Sequence, residues 1–289
     1  MLSQSAIAGM WFTLFVCFMV PILAITVLAL RNRKKGVLGA WFMGMLGFFI
    51  AQIMLRIPVL NYMSDIGVLA RMQKSSIIGY CLFLALTAAF METVGRFAAA
   101  KVLEKRGLSF QRSLASGMGH GAIEAMLVVG LTYISDMTYV VMIMNGSFDT
   151  MVQDALASGI ATEADAAALM NAKDILVSTN GFTFALAGYE RILTMILHVF
   201  MTVLLCFFVI KKQSLKGHAF CFIFHSCIDF VTAYVGILST EDGGDVLSQN
   251  AGYAIIYIFL TIICAGAVYA CIRLKRIWDE TRKQQANAS

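Results

Sequence analysis

Three apolar stretches of the sequence each contain two ionisable residues that are four positions apart. These pairs are Glu92 with Arg96, His120 with Glu124, and His225 with Asp229. A step of four residues returns to the same face of a helix, so both members of a pair point in one direction. A carboxylate close to imidazoles can remove a proton from water, while the imidazoles bind a metal or stabilise an oxyanion. The residue types and their spacing therefore indicate hydrolytic chemistry.

The sequence around these pairs is too apolar for a soluble domain. Of the 289 residues, 60% are hydrophobic and 13% are charged, which is typical of a polytopic membrane protein. The net charge of +5 comes largely from short basic runs beside apolar segments, a distribution that encodes membrane topology. We therefore expect an integral membrane protein, with membrane lipid as one partner and no nucleic-acid partner.

Seven apolar segments are long enough to cross the bilayer as helices, which takes about 17–25 residues. They are residues 8–30, 37–55, 76–99, 114–135, 183–210, 217–238 and 251–272. Strand edges cannot be satisfied in lipid, so the spans predict an all-α membrane helix bundle. We expect one transmembrane domain over residues 1–289, with the core site within 76–238 and a polar cytoplasmic tail at 273–289.

The basic residues predict the orientation of the bundle. The connections after spans one, three, five and seven contain 16 of the 22 lysines and arginines. Because cytoplasmic loops are enriched in these residues, we expect the N-terminus outside and the C-terminus inside, in a bacterial plasma membrane. The outer connections at 60–75 and 146–180 are mildly amphipathic, which predicts short surface helices there.

Four of the predicted spans bring ionisable groups to a similar depth. Glu92, His120, His198 and His225 lie between eight and thirteen positions from a flanking basic residue, or ~12–20 Å along a helix. Because such groups are costly against lipid, we expect them to face one another inside the bundle. Glu124 and Asp229 follow one turn deeper.

This cluster could hold a metal. His120, His198, His225 and Glu124 are the candidate ligands, and Zn²⁺ is a metal that three imidazoles and a carboxylate can bind. The same residues can also act without one.

Other well-known hydrolase motifs are absent from the sequence. It contains neither HExxH nor GxSxG, so neither a zincin helix nor a serine nucleophile elbow is predicted. All seven cysteines lie within the predicted spans, which argues against disulfides and CxxC sites. We expect them to pack as small buried hydrophobes.

The stretches around the ionisable pairs resemble the YhfC family of intramembrane metallopeptidases, relatives of the CAAX-protease, bacteriocin-processing and PrsW superfamily. The similar stretches are FMETVGR (90–96), SGMGHGAIEA (116–125), YERILTMILHV (189–199) and FHSCIDF (224–230). The resemblance implies that Glu92 and Arg96 come from a first motif, His120 from a second, and His225 with Asp229 from a third. It also implies that Glu92 activates water.

The first motif departs from the superfamily pattern EExxxR, because Met91 and Thr93 flank a single glutamate. Glu124 therefore remains a second candidate for the base.

The expected function is an intramembrane peptidase that cuts a membrane-associated peptide or protein in a cavity facing the inner leaflet. His120, His225 and His198 would bind a metal or the oxyanion, and Asp229 and Arg96 would orient them. A non-catalytic scaffold or regulator of the same family is a second interpretation. A proton-coupled transporter is a third, although the sequence contains no inverted repeat. The sequence predicts no oligomeric state.

Overall fold

The structure is a computed structural model that describes residues 3–33 and 35–287, and its regular elements there are all helical. In chain order the helices are α1 (Gln4–Arg31), α2 (Val37–Asp65), α3 (Val68–Ser75), α4 (Ile77–Lys105), α5 (Phe110–Met144), α6 (Phe148–Ala157), α7 (Glu163–Ser178), α8 (Gly181–Ile210), α9 (Ser214–Leu238) and α10 (Gln249–Asn287). A short 3₁₀ turn at Glu241–Gly243 follows α9.

Seven of these helices are long and apolar enough to cross a membrane, namely α1, α2, α4, α5, α8, α9 and α10. This confirms the all-α fold class and the seven predicted spans. The helices generally run beyond the apolar segments because polar residues continue or cap them. The α4 helix, for example, continues past the predicted end at residue 99 to Lys105. At its other end it begins after Ser76, whose hydroxyl accepts a hydrogen bond from the Gly79 amide at 3.0 Å. Lys34, one of the basic residues used to predict orientation, lies outside the described residues.

The two connections expected to form surface helices are helical. Residues 60–75 comprise the end of α2 and the whole of α3, which has no buried residue. Residues 146–180 contain α6 and α7, and α7 starts with a reciprocal capping box between Thr162 and Asp165. On which side of the membrane these helices lie stays a prediction.

The described chain forms two compact units. The first unit contains residues up to Ile22 together with Glu124–Ile192, and the second contains Leu23–Ile123 together with the residues from Leu193 onward. In the first unit, Met10, Val140 and Phe184 are among the buried core residues. The predicted single domain over residues 1–289 stays a prediction.

In the second unit, the predicted polar tail is the continuation of helix α10 as far as it is described. Its Trp278 is only 2% exposed and packs its ring against Phe110 and Phe207, with centroids 5.8 and 6.0 Å away. Burial of this large aromatic side chain stabilises the end of α10 against α5 and α8. The segment is therefore attached to the core of its unit.

Close backbone packing positions α5 within the second unit. A Cβ atom on Gly119 would lie 1.9 Å from the carbonyl oxygen of Trp41 in α2, and one on Gly117 would lie 2.6 Å from the Cα of Val199 in α8. Side chains larger than hydrogen are therefore excluded at both contacts. The glycines around His120 therefore allow neighbouring helices to approach closely.

We predict that Gly119→Ala destabilises the protein by about 1–3 kcal/mol, because the new methyl group forces α5 away from α2. Gly39→Ala is the matched control, since nothing lies within 4 Å of a Cβ at that position of α2. Thermal unfolding of the purified protein in detergent measures both. Equal midpoints for the two variants would refute the close contact.

Candidate functional site

The carboxylate of Glu92 lies at the centre of a buried polar cluster in the second unit. Its Oε2 atom is 3.1 Å from Nε2 of His120, 3.8 Å from Nδ1 of His198 and 3.7 Å from Nδ1 of His225. Glu92 and the three histidines are each at most 6% exposed. Helices α4, α5, α8 and α9 thus bring one carboxylate oxygen and three imidazoles together.

Arg96 lies within the same cluster, one helical turn after Glu92, and is 1% exposed. Its Nη2 atom is 3.5 Å from Oε2 of Glu92, 3.2 Å from Nε2 of His120 and 2.8 Å from Nδ1 of His198. A guanidinium can only donate hydrogen bonds, so the short contact requires a lone pair on Nδ1 of His198. That is also the form in which this nitrogen could bind a metal.

The third predicted pair, His225 and Asp229, forms a contact along α9. Nε2 of His225 is 3.4 Å from Oδ1 of Asp229, whose side chain is 30% exposed. A carboxylate in this position can hold the imidazole ring in one orientation. The structure therefore assembles Glu92, Arg96, His120, His198 and His225, with Asp229 beside the last of them.

Glu124 has a different partner. Its Oε1 accepts a hydrogen bond from Nη1 of Arg191 at 2.9 Å, and Arg191 also bonds Glu190. All three residues belong to the first unit. Arg191 therefore pairs with two carboxylates, those of Glu124 and Glu190, because a buried cation attracts nearby carboxylates. The carboxylate in contact with the histidines is that of Glu92.

Sequence reasoning missed Gln52, which is 3% exposed and donates a hydrogen bond from Nε2 to Oε1 of Glu92 at 2.8 Å. It also missed Arg56, because the predicted span ends at residue 55 whereas α2 continues to Asp65. The two residues have the same four-residue spacing as the three pairs identified from the sequence. That spacing at the end of an apolar span was the available signal.

The cysteines lie in the membrane helices as expected, and all are free thiols. Five are buried, Cys271 is partly buried and Cys227 is exposed. The expectation of burial is therefore wrong for Cys227, because its position on α9 points away from the packed face that carries His225.

Three residues of the cluster could hold a metal. Glu92, His120 and His198 are all buried, and each offers one ligand atom within 4.8 Å of the others. Two imidazole nitrogens and one carboxylate oxygen form a donor set that Zn²⁺ accepts in catalytic sites. The same three residues contact Nη2 of Arg96. A metal and the guanidinium would therefore draw on the same donors.

Fold and cluster together define an integral membrane protein with a buried polar centre whose donor atoms suit a metal. The family model of the YhfC intramembrane metalloprotease matches residues 16–241. The chain belongs to this family, which confirms the resemblance derived from the motifs.

A relative from Bacillus subtilis (strain 168), named "Uncharacterized membrane protein YhfC", is 26% identical over 280 residues. The match covers 96% of this chain and 100% of the relative. No solved structure matches the chain. The seven apolar helices and this bacterial relative confirm an integral protein of the bacterial plasma membrane. The wider relation to CAAX and PrsW proteases stays a prediction.

We predict that the purified protein binds Zn²⁺ through this cluster. His120→Ala should weaken binding by tenfold or more, because a ligand is lost, whereas Arg96→Met should strengthen it by removing the competing cation. Equilibrium dialysis followed by elemental analysis measures both effects. His218→Ala is the matched control, since His218 contacts Phe97 instead of the cluster. Equal binding by the His120→Ala and His218→Ala variants would exclude this cluster as the metal site.

Proposed function

We propose that the protein is an intramembrane peptidase that hydrolyses a membrane-associated peptide or protein, with Glu92 as the general base. The observation that carries this proposal is the position of one oxygen of Glu92, which lies within 3.8 Å of a nitrogen from each of three buried histidines. Membership of the YhfC intramembrane metalloprotease family supports the same reaction class.

In the proposed reaction, Oε2 of Glu92 accepts a proton from a water molecule as the water oxygen bonds to the carbonyl carbon of the scissile amide. The carbonyl electron pair moves to the oxygen and forms a tetrahedral oxyanion. When this intermediate collapses, the C–N bond breaks and Glu92 returns its proton to the leaving amine. The products are a carboxylic acid and an amine, so protons and electrons balance.

Arg96 is well placed to stabilise the oxyanion. Its Nε and Nη1 atoms are buried, and among the described residues neither meets a hydrogen-bond acceptor. A buried donor without a partner costs about 1–3 kcal/mol, which a substrate oxygen bonded there would recover. A fixed positive charge next to the developing oxyanion lowers the reaction barrier further.

The histidines have supporting roles in this proposal. His120 and His198 hold Arg96 through their contacts with its Nη2 atom, and Asp229 orients His225 toward Glu92. In place of these contacts with Arg96, the same Glu92, His120 and His198 could hold a Zn²⁺ ion, which would supply Lewis-acid chemistry toward water or the substrate carbonyl. With the N-terminus outside, as the basic connections favour, the site would be reached from the inner leaflet.

We predict that Glu92→Gln removes nearly all cleavage while the protein still folds, although the weakened pairing with Arg96 lowers its stability. Membranes that contain either the wild-type protein or the variant are compared by quantitative mass spectrometry of newly formed peptide termini. Removal of a general base should reduce the wild-type-dependent termini by about 10²–10⁴-fold. Glu163→Gln, at an exposed position of α7, is the matched control and should cleave normally. Identical termini from wild type and Glu92→Gln would favour a non-catalytic scaffold.

The two candidate bases can be separated by the corresponding change at Glu124. We predict that Glu124→Gln retains cleavage but lowers thermal stability, because it weakens a partly buried ion pair with Arg191. The same comparison of termini, combined with thermal unfolding, measures both effects. A loss of cleavage as complete as that of Glu92→Gln, without loss of stability, would make Glu124 the base.

A further inference from the structure

Glu92 is connected to a second arginine through α2. Gln52 donates from Nε2 to Oε1 of Glu92 at 2.8 Å and to the carbonyl of Ala88 at 3.3 Å. On the other side of the amide, Nη1 of Arg56 donates to Oε1 of Gln52 at 3.3 Å. The three side chains thus form a continuous chain of hydrogen bonds from Arg56 to the carboxylate.

The guanidinium of Arg56 is anchored to α4 by two further hydrogen bonds. Its Nε donates to Oγ1 of Thr87 at 3.2 Å, and its Nη2 donates to the carbonyl of Leu84 at 2.9 Å. Three directions of a planar group are therefore occupied, which leaves little rotational freedom. Arg56 is a rigid donor facing Gln52.

We propose that Arg56 and Gln52 are positioning residues that fix the orientation of the Glu92 carboxylate. Because Arg56 only donates, it selects the amide orientation in which the Gln52 oxygen faces Arg56 and the NH₂ group faces Glu92. The opposite orientation would place an amide oxygen against a carboxylate oxygen and two donors against each other.

As a consequence, the two carboxylate oxygens of Glu92 have different roles. Oε1 is held by Gln52, and Oε2 is left facing His120, His198 and His225. A neutral amide holds the carboxylate without adding a second positive charge beside it. The base therefore presents one oxygen in one direction, which is the preorganisation that proton transfer requires.

The local backbone of α2 supports this role. Residues Phe49–Arg56 form π-helical turns, and the amide of Ile57 bonds the carbonyl of Gln52, five residues earlier. Such turns are rare and frequently occur at functional sites. Here the π-helical segment carries both Gln52 and Arg56 and directs them toward α4.

The catalytic part of this inference rests on the proposed function, and a double-mutant cycle tests it. Gln52→Leu should slow the formation of Glu92-dependent termini by about 10–100-fold, as losses of supporting contacts commonly do. Arg56→Met should slow it by about tenfold alone and cause no further loss in the Gln52→Leu background, because Arg56 acts through Gln52. Arg56→Lys, which retains a donor, should restore part of the rate.

Independent losses that multiply in the double variant would overturn the coupling, and so would a wild-type rate for Gln52→Leu. If Gln52→Leu does not fold, Gln52→Asn replaces it, because its shorter amide cannot reach both partners and the same slowing is expected.

A second measurement does not require activity. The chain has four histidines, so ¹⁵N-histidine NMR of the protein in nanodiscs gives few signals. Gln52→Leu should shift the signals of His120, His198 and His225, which face Glu92, and leave the signal of His218 unchanged as an internal control. Unshifted cluster signals would overturn the positioning role even if Glu92→Gln abolishes cleavage. If Gln52→Leu shifts these signals but Glu92→Gln does not alter cleavage, the proposed peptidase activity is refuted, whereas the positioning of Glu92 by Gln52 and Arg56 is retained.

Discussion

The burial of Glu92 and Arg96 in an apolar bundle constrains the rest of the second unit. Water is excluded from the bilayer core, so a carboxylate and a guanidinium there need partners from the protein itself. α4 supplies both charges, but one helix cannot satisfy both groups. The remaining partners come from Gln52 on α2, His120 on α5, His198 on α8 and, at longer distance, His225 on α9. Four helices must therefore meet α4 at one depth.

This requirement explains why glycine occurs where the helices cross. Polar side chains of moderate length can meet around α4 only if the backbones come close together, and a Cβ on Gly95 would lie 2.3 Å from the carbonyl oxygen of Gly47 in α2. Close approach of the helix backbones allows the buried polar side chains to reach one another, and their contacts in turn stabilise the close packing of the helices. In this chain the residues with the proposed chemistry are also those that determine helix packing.

The membrane spans could be predicted from sequence because their length and apolar character are imposed by the bilayer. The cluster followed from equal depth and four-residue spacing. The depth of a residue does not determine which neighbouring helix its side chain faces, so the partner of Glu124 could not be predicted. That partner is Arg191, which is far away in sequence. Gln52 was missed because it is uncharged, and Arg56 because the apolar run ends before α2 does. The proposed roles of these residues depend on contacts between different helices, which the spacing of residues along one helix does not predict.

Trp278 changes the physical character of the basic segment in which it lies. A charged segment after the last membrane helix would ordinarily behave as a flexible tether, whereas burial of this indole against Phe110 and Phe207 fixes the segment to the protein. Arg273, Lys275 and Arg276 are exposed on the same helix. Because Lys275 pairs with Asp279 at 2.7 Å, the positive charge that the helix holds in place is mainly that of Arg273 and Arg276. An anionic headgroup that contacts these two residues loses less binding energy to ordering the chain.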